Sequence, residues 1–187
     1  MELPKSTSIA ALRAALDVPE GTLIGDHSRL IKERTRGHSH TVKLVCEPQG
    51  GTCVSYALGL NSNPIYETIR QDFDREVFAG KRFVEWMVGV RDEIDQPAIG
   101  SLALYFLGAD WKHVGTVAGL DRVTSQWGTY PIYEHGLCEV PASYGDQVRF
   151  FERPSARQAL SDFLNYARSE GISNEDIDAI IAEVERS

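Results

Sequence analysis

The feature that most constrains this chain is a change of period at Asp95-Gln96-Pro97. Before it, from Pro64 to Glu93, apolar residues recur at helical spacing (Ile65, Ile69, Phe73, Val77, Phe83, Met87, Val90), with Gly80 dividing the run. After it, Ile99 to Leu107 reads as a continuous apolar strand. Lys112 to Ala118 and Arg122 to Trp127 alternate as a hairpin around Gly119-Leu120-Asp121. Pro131 to Val140 and Gln147 to Glu152 read as two more strands around a turn at Pro141 to Asp146. Past Pro154 the helical spacing returns. Ala156 to Glu170 carries Leu160, Phe163, Leu164 and Ala167, and a Ser173/Asp176 capping box opens a last helix with Ile177, Ile180, Ile181 and Val184. Helices, then antiparallel strands, predict an α+β architecture that ends in a helix pair.

Upstream, Ser8 to Leu16 predicts a short amphipathic helix with Ser8 as its cap, broken by Pro19-Glu20-Gly21. Thr22 to Ile31 carries no decisive pattern, and His40 to Val45 alternates as a strand ending at Glu47-Pro48. The next stretch, Pro48 to Leu60, turns sharply and feeds a short helix. Gly50 and Gly51 supply the backbone freedom, Thr52 suits an N-cap, and Val54, Ala57 and Leu58 form an apolar stripe. Cys53 then falls in the first helical turn, among unpaired N–H groups at the positive end of the dipole. A thiol there ionises more readily, and the thiolate is the nucleophile. The competing reading is a small buried hydrophobe.

The 187 residues allow one domain with a genuine core. A formal net charge of −8 argues against a nucleic-acid surface, which needs clustered Lys and Arg. The one basic run, Arg29 to Arg36 followed by His38 and His40, reads as a solvated hairpin. No stretch resembles a signal peptide or a bilayer span, so a cytoplasmic location without membrane contact is expected, export by other signals being left open. Three cysteines without a CxxC spacing predict neither a disulfide framework nor a zinc ribbon. His27, His38 and His40 lack an accompanying carboxylate or Cys at metal-ligand spacing, so neither a metal nor another cofactor is expected. Cys46 and Cys138 read as core thiols, and Trp111, Trp127 and the tyrosines from Tyr130 to Tyr144 as packing or a substrate groove.

Taken with Gly100-Ser101-Leu102-Ala103-Leu104-Tyr105-Phe106 and His113-Val114-Gly115, the Cys53 stretch resembles the papain-like cysteine hydrolases. The likeness is closest to the NlpC-type cell-wall peptidase branch, as a divergent bacterial member. That branch carries a Cys at a helix N-terminus, a strand of the form G-D-L-x-x-F, and a strand beginning H-V-G. A Gly turn, here Gly119, and a strand with a third polar residue follow. Ser101 stands where the family has Asp, and Thr52 where an Asp usually precedes the nucleophile. The likeness covers Gln49 to Trp127, with Cys53 and His113 about 60 residues apart. The tract Val123 to Gly128, with Tyr133-Glu134-His135-Gly136 and Tyr144-Gly145-Asp146, departs from the cell-wall enzymes. It resembles bacterial papain-like domains with a second His after an S-x-x-G turn.

The resemblance implies a nucleophile helix packed on an antiparallel sheet over residues 1–153, with residues 154–187 a helical extension of the same domain. It implies amide hydrolysis in a peptide or protein, with Cys53 as nucleophile and His113 as base. Either Gln126 or Ser125 would orient His113, strand alternation allowing only one of them to face it. Gln49, four positions before Cys53, stands near the family's oxyanion donor, and Thr52, Trp127 and His135 join it as oxyanion or substrate-binding residues. A glutamine deamidase or acyltransferase effector would use the same roles. A non-catalytic module on this fold, docking a protein through the helices after Pro154, is the rival, and the ionisation of Cys53 separates the two.

Overall fold

A computed structural model of the chain describes residues 1–4, 6–48, 50–73 and 77–186. Two helices come first, α1 (Thr7–Leu16) and α2 (Ile24–Arg34), followed by strand β1 (Lys43–Cys46). Three short helices follow: α3 (Cys53–Leu58), α4 (Pro64–Asp72) and α5 (Lys81–Val88). The strands are β2 (Glu93–Ile94), β3 (Leu102–Leu107), β4 (Asp110–Gly119), β5 (Arg122–Gln126), β6 (Ile132–Gly136) and β7 (Gln147–Phe151). Helices α6 (Ala156–Ser169) and α7 (Asn174–Arg186) end the chain. Among the described residues the strands form one sheet in the order β1-β6-β5-β4-β3-β7-β2, each neighbouring pair antiparallel. The protein is therefore α+β.

Alternation along the central strands sends side chains to two different environments. Leu102, Leu104 and Phe106 of β3 and Val114 of β4 enter a large apolar core with α3, α4, α5, α6 and α7. Ala103, Tyr105, Val117 and Val123 face the other way, toward Leu137, Val140 and Val148. Beside that second cluster Leu12, Leu16 and Ile31, from α1 and α2, cover Trp127 and Tyr133. Ile177 and Ile180 of the last helix belong to the same core as Phe163 and Leu104, so the terminal helix pair folds onto the sheet. Each such fully buried large side chain contributes about 1.5–3 kcal/mol.

Several expectations change. The basic run is no hairpin: Arg29 lies on α2, paired with Asp26 at 2.9 Å and Glu33 at 3.0 Å across successive turns. The predicted cap Ser8 lies inside α1, whose N-cap is Ser6. Strand β1 is an exposed edge, so Cys46 is only half-buried, and half-buried Cys138 sits in the turn after β6. Val90, assigned to the core, is 59% exposed beyond the end of α5. Glu93 leaves the helical run because β2 pairs with β7 through Glu93↔Phe151 and Ile94↔Phe150. Residues 74–76 of that run lie outside the described residues. Among the described residues no helix is long and apolar enough to cross a membrane.

Candidate active site

The Cys53 turn is built as its residues dictate. Gly51 has φ +66°, a conformation that strains any residue with a Cβ, and a Cβ there would also push aside the Asn61 and Ser55 side chains. Thr52 caps α3: its Oγ1 accepts from Ser55 N–H at 3.3 Å, while Ser55 Oγ accepts from Thr52 N–H at 2.8 Å. Gly59, in the left-handed conformation, closes the helix. Cys53 therefore occupies the first position of α3, and α3 packs on β4 and β5.

The ladder between β4 and β5 ends at Thr116↔Thr124. The N–H groups of Val114, Val54 and Cys53 itself lie close enough to the sulfur to favour its thiolate. Burial nevertheless dominates and pushes the Cys53 thiol up to about 11, against which these N–H groups are a smaller, opposing effect. The thiol is neutral at pH 7.

His113 immediately precedes Val114, but its ring lies on the face shared with Tyr105, its cross-strand partner. It stacks on Tyr144 with centroids 4.0 Å apart and planes 18° apart. His113 is 1% exposed and its Nε2 is buried without a hydrogen-bond partner, so it makes no hydrogen bond through that atom to Cys53, Ser125 or Gln126. Burial, and then the neighbouring His135, hold its pKa well below the usual range.

Ser125 and Gln126 point to opposite faces, as alternation requires. Gln126 Nε2 donates to the Gly50 carbonyl at 3.2 Å and tethers the turn before Cys53, while its Oε1 is buried and unpartnered. Asn61 Nδ2 donates to the same carbonyl at 3.0 Å. Ser125 belongs to a chain that sequence reasoning missed. Trp127 Nε1 donates to Ser125 Oγ at 3.1 Å, Ser125 Oγ lies 2.9 Å from His135 Nε2, and His135 Nδ1 lies 2.9 Å from the Gly136 carbonyl. The carbonyl can only accept, so Nδ1 carries the proton and Nε2 accepts from Ser125. The order is nucleophile, base and orienter. Ser125 and His135 are both fully buried, however, and no acyl donor reaches them. Burial lowers the His135 pKa to about 4. The diagonal reach from Ser125 to His135 follows from the β5–β6 register, in which Ser125 opposes Tyr133, and no spacing in the sequence announces that register.

A latch covers His113. The turn holding Tyr144 is fastened to α1 by the Arg13 guanidinium, which donates to the carbonyls of Val140, Pro141 and Gly145. Asp17 accepts from Ser143 N–H at 3.2 Å and Ser143 Oγ at 2.6 Å. Gly145 is obligatory, with φ +99° and space for a Cβ only 2.1 Å from the Phe106 carbonyl oxygen. Burial, then proximity to Cys53, raise the Tyr144 phenol well above its usual pKa. Tyr144 thus touches His113 and lies within electrostatic reach of Cys53.

On the other side of the turn, a cleft of about 360 Å³ is lined by Gly51, Thr52, Tyr66, Arg70, Phe78 and Thr129. Thr52 Oγ1 also donates to the Ala79 carbonyl at 2.9 Å. Trp127 is buried beneath α1 rather than open to a groove. Gln49 lies outside the described residues. Among the described residues no group of three or more His, Cys, Asp or Glu side chains is placed to hold a metal ion. Compared with protein-family models, curated proteins and solved structures, the chain matches none.

Proposed function

We propose that this protein is a cysteine hydrolase of the papain-like kind, acting on an amide bond, and that the arrangement described is its closed form. The observation that carries the reading is Cys53 at the first position of the Thr52-capped helix α3, which packs on β4, the strand that carries His113. In the open form the His113 ring leaves the Tyr105 face, which lies away from α3, and takes the Cys53 proton through its unpartnered Nε2; the thiolate attacks the carbonyl carbon, and a tetrahedral oxyanion forms. The backbone N–H groups of Cys53 and Val54 meet that oxyanion. The amine leaves with the His113 proton, and water then hydrolyses the thioester. The cleft beside Gly51 and Thr52 would receive the acyl side chain. A glutamine deamidase or an acyltransferase would follow the same steps with a different amide or acceptor.

Closure explains the neutral thiol. Tyr144 covers the His113 ring and burial disfavours the thiolate, so the ion pair forms only when the turn held by Arg13 and Asp17 moves. The test is the pH dependence of iodoacetamide labelling at Cys53 in the wild type, Tyr144→Ala, and Tyr144→Ala with His113→Ala. Slow labelling in the wild type, at least about tenfold faster labelling with an apparent pKa below the ~8.5 of an ordinary thiol in Tyr144→Ala, and reversal in the double variant are expected. Equal, slow labelling of all three proteins would overturn the reading.

The buried, neutral Cys53 favours a second reading, in which the fold is a binding module with a structural cysteine. The exposed surfaces of α6 and α7 would then dock a protein partner. That reading predicts a Cys53→Ser variant with unaltered partner binding, and equal, slow labelling is its signature.

A further inference from the structure

Residues of the basic run Arg29 to Arg36 line a cleft of about 730 Å³. Its cationic wall is Arg29, Lys32 and Arg36, at i, i+3 and i+7 from α2 into the turn beyond it, with His38 and His40 following. Its floor is apolar: Ile31, Val42, Leu44 and the ring of Tyr133. Tyr133 is fixed from beneath, where its hydroxyl lies 2.9 Å from His27 Nδ1 and His27 stacks on Tyr130 at 4.2 Å.

The charges on this wall are not equivalent. Arg29 is already matched by Asp26 and Glu33. Lys32 and Arg36 are exposed and form no ion pair among the described residues. Glu139 is engaged by Thr41 N–H, Thr41 Oγ1 and Gly136 N–H and so clamps the loop after α2, and Glu47 lies within electrostatic reach of Tyr133. In a chain of net charge −8, two cations without ion-pair partners above an apolar floor concentrate positive potential where an anion with an apolar body fits both surfaces.

We infer that this cleft is a binding site for an organic anion, a carboxylate or phosphate monoester on an apolar body, with the anionic group between Lys32 and Arg36 and the body over Tyr133. The inference does not depend on the chemistry of Cys53, which lies elsewhere in the fold.

The test is an amide chemical-shift titration of the full chain with octyl phosphate, octanoate, octylamine and inorganic phosphate, each below its aggregation limit. Saturable shifts confined to residues 28–44 and Tyr133 with either octyl anion are expected, and the tighter of the two identifies the head group. Lys32→Glu with Arg36→Glu should weaken that binding at least about tenfold. Lys43→Glu, outside the cleft, should leave it unchanged. Lys32→Gln with Arg36→Gln retains side-chain length should the reversed pair not fold. Octylamine binding as well as the anions, inorganic phosphate matching octyl phosphate, unchanged affinity in the charge variants, or no shifts in the cleft would each overturn the proposal.

Discussion

The two faces of the sheet bury their side chains by different physics. Against α3 to α7, the sheet presents Leu102, Leu104, Phe106 and Val114, and the contacts there are almost wholly apolar, such as Tyr66 on Phe163 at 4.8 Å. On the other face His27, His113, Ser125 and His135 are buried among Tyr105, Trp127 and Tyr133. The first face contributes free energy roughly in proportion to apolar area, with little dependence on pH. The second holds polar groups whose burial is favourable only while they are partnered and neutral. Such a face costs stability and is suited to chemistry, and it carries the candidate base and the latch.

The contrast can be broken first on the apolar side. Phe163→Ala removes a fully buried ring from between Tyr66 and Phe83, and a loss of about 3–5 kcal/mol in urea unfolding is expected. A loss below about 1 kcal/mol would mean that this core is not packed as described.

The polar face should instead respond to acid. Burial holds His27 and His135 at about 4 in the folded chain, whereas an unfolded histidine titrates near ~6.5. Between these values the unfolded chain binds protons that the folded chain does not, so stability falls as the pH drops from about 6.5 to about 4. At pH 5 the expected loss is about 2 kcal/mol for each histidine, and His135→Gln should remove its share of the slope. Identical urea midpoints at pH 7 and pH 5 would erase the distinction between the faces.

The smallest effect sharpens the same point. Ser125→Ala deletes only one oxygen but leaves Trp127 Nε1 and His135 Nε2 unpaired, for which about 1–2 kcal/mol is expected by the same unfolding measurement. A neutral result would mean that the chain of hydrogen bonds is not maintained in solution.

Much of the local architecture was legible because it depends on neighbours in the sequence. The Thr52 cap, the Gly59 stop, the β4–β5 hairpin and the Ser173 cap of α7 each rest on residues within a few positions. What misled was burial set by partners far along the chain. Cys46 alternates like a core residue yet lies on an edge strand, and Val90 keeps the helical period after the helix has ended. Thr22 to Ile31 carries no decisive period because α2 keeps only His27 and Ile31 buried, and the exposed Arg29 to Arg36 reads as a hairpin for the same reason.

By itself, the sequence determined the α+β class, the glycine turn and the place of Cys53 at a helix start, because helix and strand periods, caps and positive-φ glycines act over a few residues. Tertiary structure alone decided the direction of the His113 ring, the pairing of Ser125 with His135, the tether from Gln126 to Gly50, and the stacking of Tyr144. These depend on strand register and on a latch from α1 made by residues more than 120 positions away. It also decided the charge state of Cys53. The helix start favours a thiolate, but burial outweighs it, and burial is a property of the whole fold.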